Sequence, residues 1–145
     1  VVALDRSPGA LFLAVSNARR HGVLDRVSFV ASDWLAALGR TALFDLAVAN
    51  PPYVPLTDQP HLSKTVSEYE PLLALYGGAD GLEPLRVLLG ALPPFLAPGA
   101  PFVFEFGYSQ ASDVSALVEA APGFRLERVR LDAAGIPRTA TAIRT

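Results

Sequence analysis

Apolar positions along this chain switch between runs and a helical period, and the switching predicts strands joined by helices. Val1-Val2-Ala3-Leu4 is a continuous apolar run closed by Asp5, the pattern of a strand covered on both faces of a parallel sheet. Leu11, Ala14, Val15 and Ala18 then recur at helical spacing. They sit in a helix from Pro8 to His21, with Ser7 as N-cap, Pro8 at the first position and Gly22 as the stop. Val27–Ala31 predicts a second strand, Trp34–Leu38 a short helical segment, and Phe44–Ala49 a third, buried parallel strand. A proline-rich stretch runs from Asn50 to about Gly78 with a short helix near Leu72–Leu75, and a connection of that length in a compact domain is usually functional. Leu82–Leu96 predicts a helix with Pro84 in its first turn and Pro93-Pro94 distorting or ending it. Pro101–Phe106 is the next strand and Ser109–Ala121 the next helix. Arg125–Leu131 and Arg138–Ile143 close the chain as an antiparallel pair. Strands alternating with helices predict an α/β fold in three layers.

Composition narrows the classes. At 145 residues the chain suits one domain with a proper core, and 51% apolar against 18% charged residues exclude disorder. The net charge of −2, scattered arginines and a lone lysine (Lys64) give no basic stripe for a nucleic-acid duplex. No stretch resembles a signal peptide or an apolar span of membrane length, so a soluble, cytoplasmic protein is expected. The absence of cysteine excludes disulfides and thiolate metal sites. His21 and His61 lack the paired spacing of a zinc motif and read as surface residues, so no metal site is expected.

The chemistry gathers at strand ends. Asp5 closes a strand and precedes a helix start, where a carboxylate either takes both hydroxyls of a ribose or caps the following helix. Asp33-Trp34 follows the second strand by one residue. The carboxylate there suits the exocyclic amine of an adenine and the indole its ring face; an N-cap aspartate beside a core tryptophan is the plain alternative. The tetrapeptide Asn50-Pro51-Pro52-Tyr53 ends the third strand, at the edge where open α/β sheets bind ligands. An amide or aromatic amine nitrogen attacks a methyl group poorly because its lone pair is delocalised. The Asn50 side-chain oxygen and the Pro51 carbonyl suit its two N–H groups, holding the nitrogen in line and favouring charge that builds on it. Pro51 and Pro52 stiffen the turn and bring no competing N–H. Tyr53 can stack on the planar acceptor and tolerate positive charge nearby. Placed after an apolar parallel strand, the motif points to a nitrogen methyltransferase without saying which nitrogen.

The chain resembles the HemK-type family, the protein-(glutamine-N5) methyltransferases of peptide-chain release factors. The likeness rests on Asp5-Arg6-Ser7-Pro8 with Ala10-Leu11, Asn17-Ala18, Arg26-Val27, Asp33-Trp34 and Asn50-Pro51-Pro52-Tyr53. It continues through Tyr69-Glu70-Pro71, Ala74-Leu75, Gly77-Gly78-Ala79-Asp80-Gly81-Leu82, Glu105-Phe106-Gly107 and Ala134-Gly135-Ile136-Pro137-Arg138. The tetrapeptide alone is shared with adenine methyltransferases; the Tyr-Glu-Pro and Gly-Gly-x-Asp-Gly-Leu segments point to the glutamine-modifying branch.

The resemblance implies a class I S-adenosylmethionine-dependent methyltransferase with a Rossmann-like three-layer sandwich. Its acceptor would be the glutamine of a Gly-Gly-Gln loop in a release factor. Asp5 would take the ribose hydroxyls, Asp33 and Trp34 would border the adenine, and Asn50, Pro51, Pro52 and Tyr53 would hold the glutamine amide, Asn50 also facing the cofactor. Tyr69-Glu70-Pro71 would help shape the substrate cleft, with the separate role of Glu70 open, as is that of Arg138.

Family members carry an N-terminal helical domain, a first strand and a glycine-rich cofactor loop, which are not found within these 145 residues. The chain is therefore expected to be a partial catalytic domain. One ladder each of Val1–Asp5 and Phe44–Ala49 would be unpaired, self-association through those edges favoured, cofactor binding weak and activity small. Gly77-Gly78-Ala79-Asp80-Gly81 precedes a helix but follows no strand, so it reads as a turn with glycine at positive φ rather than a replacement cofactor loop. Adenine methylation in DNA or RNA, and a non-catalytic remnant that binds a protein partner or nothing, are the competing functions.

Overall fold

The computed structural model describes residues 1–39, 43–61 and 71–145. Its contacts divide the chain into two compact units, Val1–Ala42 and Leu43–Thr145.

The first unit is a strand, a helix and a parallel strand: β1 (Val2–Asp5), α1 (Pro8–Arg20) and β2 (Ser28–Ala31). The register runs from Val2 opposite Ser28 to Asp5 opposite Ala31. Helix α1 starts where its capping residues dictate: the Ser7 hydroxyl accepts the Ala10 N–H at 3.3 Å, and Pro8 occupies the first turn. Gly22, at φ 64°, turns the chain out of it. Of the expected stripe Ala18 is buried and Leu11, Ala14 and Val15 are half-buried, while Phe12 and Leu13 stay exposed. The segment Trp34–Leu38 is a pair of turns rather than a helix, closed by Ala36 N–H to Asp33 and Leu38 N–H to Leu35. Trp34 lies at φ 51°, and a left-handed residue cannot open a right-handed helix.

The second unit holds β3 (Ala47–Ala49), a 3-10 turn (Leu56–His61), α2 (Leu72–Leu75), α3 (Glu83–Ala91), a second 3-10 turn (Pro93–Phe95), β4 (Pro101–Glu105), α4 (Ala111–Ala120), β5 (Phe124–Leu131) and β6 (Pro137–Arg144). Its sheet is ordered β3-β4-β6-β5, with β3 parallel to β4 and the other pairs antiparallel. The predicted Leu82–Leu96 helix stops at Ala91 because Pro93 and Pro94 supply no N–H to continue it. Phe102, Phe104 and Phe106 alternate down β4 and beyond, each almost fully buried with Val114 and Val118 of α4 and with Ala140 and Ala142 of β6. The Phe102 and Phe104 rings lie 4.8 Å apart. Facing residues this small on β6 leave room for a layer of phenylalanine.

Two expectations for the sheets need correction. The third strand is shorter than Phe44–Ala49: Phe44 makes an isolated bridge to Leu96, and Asp45 bends the chain before Ala47. Its two faces also differ, since Ala47 and Ala49 are half-buried while Val48 is 72% exposed. An apolar run reports the preference of its side chains, not whether a second layer covers them. Among the described residues β1 pairs only with β2, and β3 only with β4.

Candidate active site

In the first unit both predicted carboxylates stand at the carboxyl edge of the parallel pair. Asp5 is exposed at the end of β1, and its Oδ1 accepts the Ser7 N–H at 2.7 Å. The same carboxylate therefore ties the strand to the capping residue of α1, while its Oδ2 has no hydrogen bond among the described residues. The two strand ends are joined where the Asp5 carbonyl accepts the Ser32 N–H at 3.0 Å. Ser32 is buried, and its hydroxyl accepts the Ala37 N–H at 3.1 Å, folding residues 33–37 back over the strand end. That fold-back places Asp33 in the open and Trp34 half-buried at positive φ. A bulky residue in the left-handed region costs of order 1–3 kcal/mol and persists only where its surroundings hold it there.

In the second unit the tetrapeptide leaves β3 directly after Ala49, which is paired with Phe104. Asn50 is exposed, Pro51 buried, and Pro52 and Tyr53 half-buried. The Tyr53 hydroxyl donates to Glu105 Oε1 at 2.9 Å, so the last residue of β4 orients the ring. The Tyr53 carbonyl accepts from Gln110 Nε2 at 3.0 Å, and the Val54 N–H donates to the Leu75 carbonyl at 2.9 Å. Neither Glu105 nor Gln110 was assigned a role from the sequence. Glu105-Phe106-Gly107 lay within the resembling segments, whereas nothing in the local pattern marks a lone glutamine before a helix.

The glycine segment is the second element that sequence reasoning undervalued. Gly78 and Gly81 have φ 88° and 77°, the turn conformation expected of them. A further demand is steric. A Cβ at Gly77 would sit 2.6 Å from the Pro52 carbonyl oxygen, and one at Gly81 would overlap the Tyr53 carbonyl oxygen. The segment is a backbone wall pressed against the carbonyl side of the tetrapeptide. Asp80 anchors it: its carboxylate takes two hydrogen bonds from Arg86 of α3, at 3.0 and 2.6 Å, and one from the Leu82 N–H.

Those bonds to Arg86 and Leu82 hold the Asp80 carboxyl down to about 2, from an ordinary 3.8. A depressed carboxylate adds stability above its unfolded value and loses that stability as pH falls through the folded one. The Asp80→Asn variant should therefore differ in stability from the parent above about pH 4, and the two should converge near about pH 2. Urea melts across that range read the convergence, and raised salt should shrink the difference because the pair is half-exposed.

Arg138, whose role the sequence left open, pairs with Asp132 of its own hairpin at 3.8 Å and donates to the Phe106 carbonyl just after β4 at 3.4 Å. Hydrogen bonds from Ile136 and Ala134 and the charge of Arg138 lower the Asp132 carboxyl below its ordinary value. His21 is exposed as expected. Tyr69 and Glu70, and the side chain of His61, lie outside the described residues. Among those described, no group of acidic or histidine side chains is arranged to hold a metal ion, and no helix is long and apolar enough to cross a membrane. A groove of about 200 Å³ between α3 and α4, lined by Arg86, Leu89, Leu117 and Pro122 among others, contains none of the predicted site residues.

No protein-family model matches the chain. It is 43% identical over 141 residues to a release factor glutamine methyltransferase of Bradyrhizobium diazoefficiens, covering 97% of this chain and 47% of that protein. A protein of the same name from Moorella thermoacetica is 42% identical over 144 residues, covering 99% and 50%. One from Rhodospirillum rubrum is 44% identical over 118 residues, covering 81% and 36%. The chain thus spans about half the length, or less, of these curated relatives. Among solved structures, a ribosomal protein L11 methylase of Lactobacillus delbrueckii subsp. bulgaricus superposes with a TM-score of 0.69 at 19% identity, covering 100% of this chain and 58% of that one. A methyltransferase of Pyrococcus furiosus gives 0.71 at 17% identity, covering 99% and 61%. An O-methyltransferase of Bacillus cereus, solved in complex with SAH, gives 0.56 at 15% identity, covering 100% and 62%. The fold is the α/β fold of the class I methyltransferases.

Proposed function

From that likeness we propose that the chain carries the methyl-transfer site of a release factor glutamine methyltransferase, with S-adenosylmethionine as donor and the glutamine of a Gly-Gly-Gln loop as acceptor. The observation that carries the proposal is the Asn50–Tyr53 turn. It is exposed at Asn50, rigid at two prolines, and held on its far side by Gln110, Glu105 and a wall of glycine backbone.

In this reading Asn50 Oδ1 and the Pro51 carbonyl each accept one N–H of the glutamine amide. Two acceptors fix the amide plane, and their dipoles favour the positive charge that builds on nitrogen as it takes the methyl carbon. The carbon would part from its sulfonium as a neutral thioether, and the nitrogen would then release one N–H proton to solvent beside the exposed Asn50. The Tyr53 ring, oriented through its hydroxyl by Glu105, stacks on that plane. When bound, S-adenosylmethionine supplies an electrophilic methyl group on a sulfonium. The residues of the first unit fit its nucleoside: Asp5 has Oδ2 to offer the ribose hydroxyls, and Asp33 and Trp34 border the adenine. The exposed carboxylate of Asp33 suits the exocyclic amine better than a helix cap, since no helix follows it.

Radiolabelled methyl transfer tests the reading. Label is expected in a release factor, none in its loop Gln→Ala variant, and none in adenine of duplex DNA. Label in adenine, or equal label in the loop variant, overturns it. Trp34 is the sole tryptophan, so its emission should change on titration with S-adenosylhomocysteine. Asp5→Asn should raise the fitted Kd about tenfold, the worth of a charge-assisted hydrogen bond.

A further inference from the structure

We infer that Gln110 is a positioning residue of the methyl-transfer site, its one carboxamide setting the aim of the Asn50–Tyr53 turn; this rests on the function proposed above. The residue is 5% exposed and stands at the start of α4. Its Nε2 donates to the carbonyls of Tyr53 at 3.0 Å and Asp80 at 3.2 Å, and its Oε1 accepts the Gly107 N–H at 2.7 Å. Both donor hydrogens are thus used, each on a different segment, one 57 and the other 30 residues away in sequence. Two carbonyls face the nitrogen and an N–H faces the oxygen, so the amide has one workable orientation. Its backbone is fixed too, since the Gln110 N–H donates to Gly107 and its carbonyl accepts from Val114.

Consider what holds the turn. Its entry is set by β3–β4 pairing at Ala49, and Pro51 and Pro52 fix their own φ angles. The exit peptide between Tyr53 and Val54 is gripped from both ends: the carbonyl by Gln110, the N–H by the Leu75 carbonyl. Rotation of that peptide would turn the whole tetrapeptide against its strand. Gln110 opposes the rotation while bonding the Asp80 carbonyl of the glycine wall, so turn and wall move together or not at all. Gly81 is what admits the arrangement, because a Cβ there would meet both the Tyr53 carbonyl and Gln110 Nε2.

Two variants of the full chain test this by hydrogen exchange followed segment by segment. Gln110→Leu keeps bulk and loses every side-chain hydrogen bond. It should speed exchange about tenfold or more in residues 50–56 and 77–82, with strands β5 and β6 keeping their protection. Gln110→Glu keeps the acceptor for Gly107 but sets oxygen against two carbonyls, which raises its pKa. Protection of the same segments should return as pH falls, because the protonated carboxyl donates one bond again. A space-filling role predicts parental protection in the leucine variant, and a general stability role predicts loss in every segment; either result overturns the inference. So does a Gln110→Glu profile that is flat with pH after correction for intrinsic exchange. In the methyl-transfer assay Gln110→Leu should lower kcat with the KM for S-adenosylmethionine unchanged, and parental kcat in that variant also overturns it. Absence of transfer by the parent protein counts against the proposed function alone, because the exchange pattern still decides for Gln110.

Discussion

Replacing Asn50 with alanine should lower kcat for glutamine methylation by about 10²–10³-fold while leaving the fold nearly intact. The magnitude is that of removing one preorganised dipole aimed at developing charge. Asn50 is exposed, so its truncation opens no cavity and stability should change by less than about 0.5 kcal/mol. The separation matters, because a turn that served only to leave the strand would show no loss of kcat. Single-turnover methyl transfer measures the first and urea melts the second. A tenfold or smaller loss of kcat would remove Asn50 from the reaction as proposed.

Gly81→Ala is expected to have the largest effect on folding, roughly 2–4 kcal/mol. Part of it is the positive φ of 77°, which costs an alanine about 1 kcal/mol. The remainder is contact, since the new Cβ overlaps the Tyr53 carbonyl, which is backbone and cannot swing aside. Gly135 separates the two contributions, because it has the same φ of 77° with nothing within 4 Å of the Cβ position. Gly135→Ala should cost only about 1 kcal/mol, and the difference between the variants is the contact cost. Equal losses in denaturant melts would mean that the glycine wall does not press on the turn.

Much of this was readable from residue order. Ser7, Pro8 and Gly22 mark the limits of α1 because capping is local chemistry, satisfied within a few residues. The tetrapeptide stands out because it follows an apolar strand at the edge where parallel sheets bind ligands, with an ordinary Pro-Pro turn as the plain alternative. The apolar run Phe44–Ala49 is longer than the strand it forms, since Asp45 bends the chain and Val48 is exposed. The hairpin shows a different loss of information. Read by strict alternation, Leu126, Arg128 and Arg130 share one face of β5. In the structure a register shift between Leu126 and Arg128 leaves Glu127 as an extra residue, so Leu126 and Val129 pair with Ala142 and Ala140 beside the phenylalanine layer. Arg125, Arg128 and Arg130 fall together on the opposite face. A bulge is chosen by which face must be buried, and that depends on the partner strand.

The order of residues alone determined most element types, Trp34–Leu38 excepted, with the α/β class and the chemical character of the strand ends, because periodicity, capping and proline geometry act over a few residues. Only the tertiary structure decided what holds the turn: Glu105 on the Tyr53 hydroxyl, Gln110 on its carbonyl, and two glycines whose missing side chains make room for it. Those partners lie tens of residues apart in the chain. Their hydrogen bonds and close approaches exist only once the sheet has brought the segments together, so residue order alone does not say what they touch.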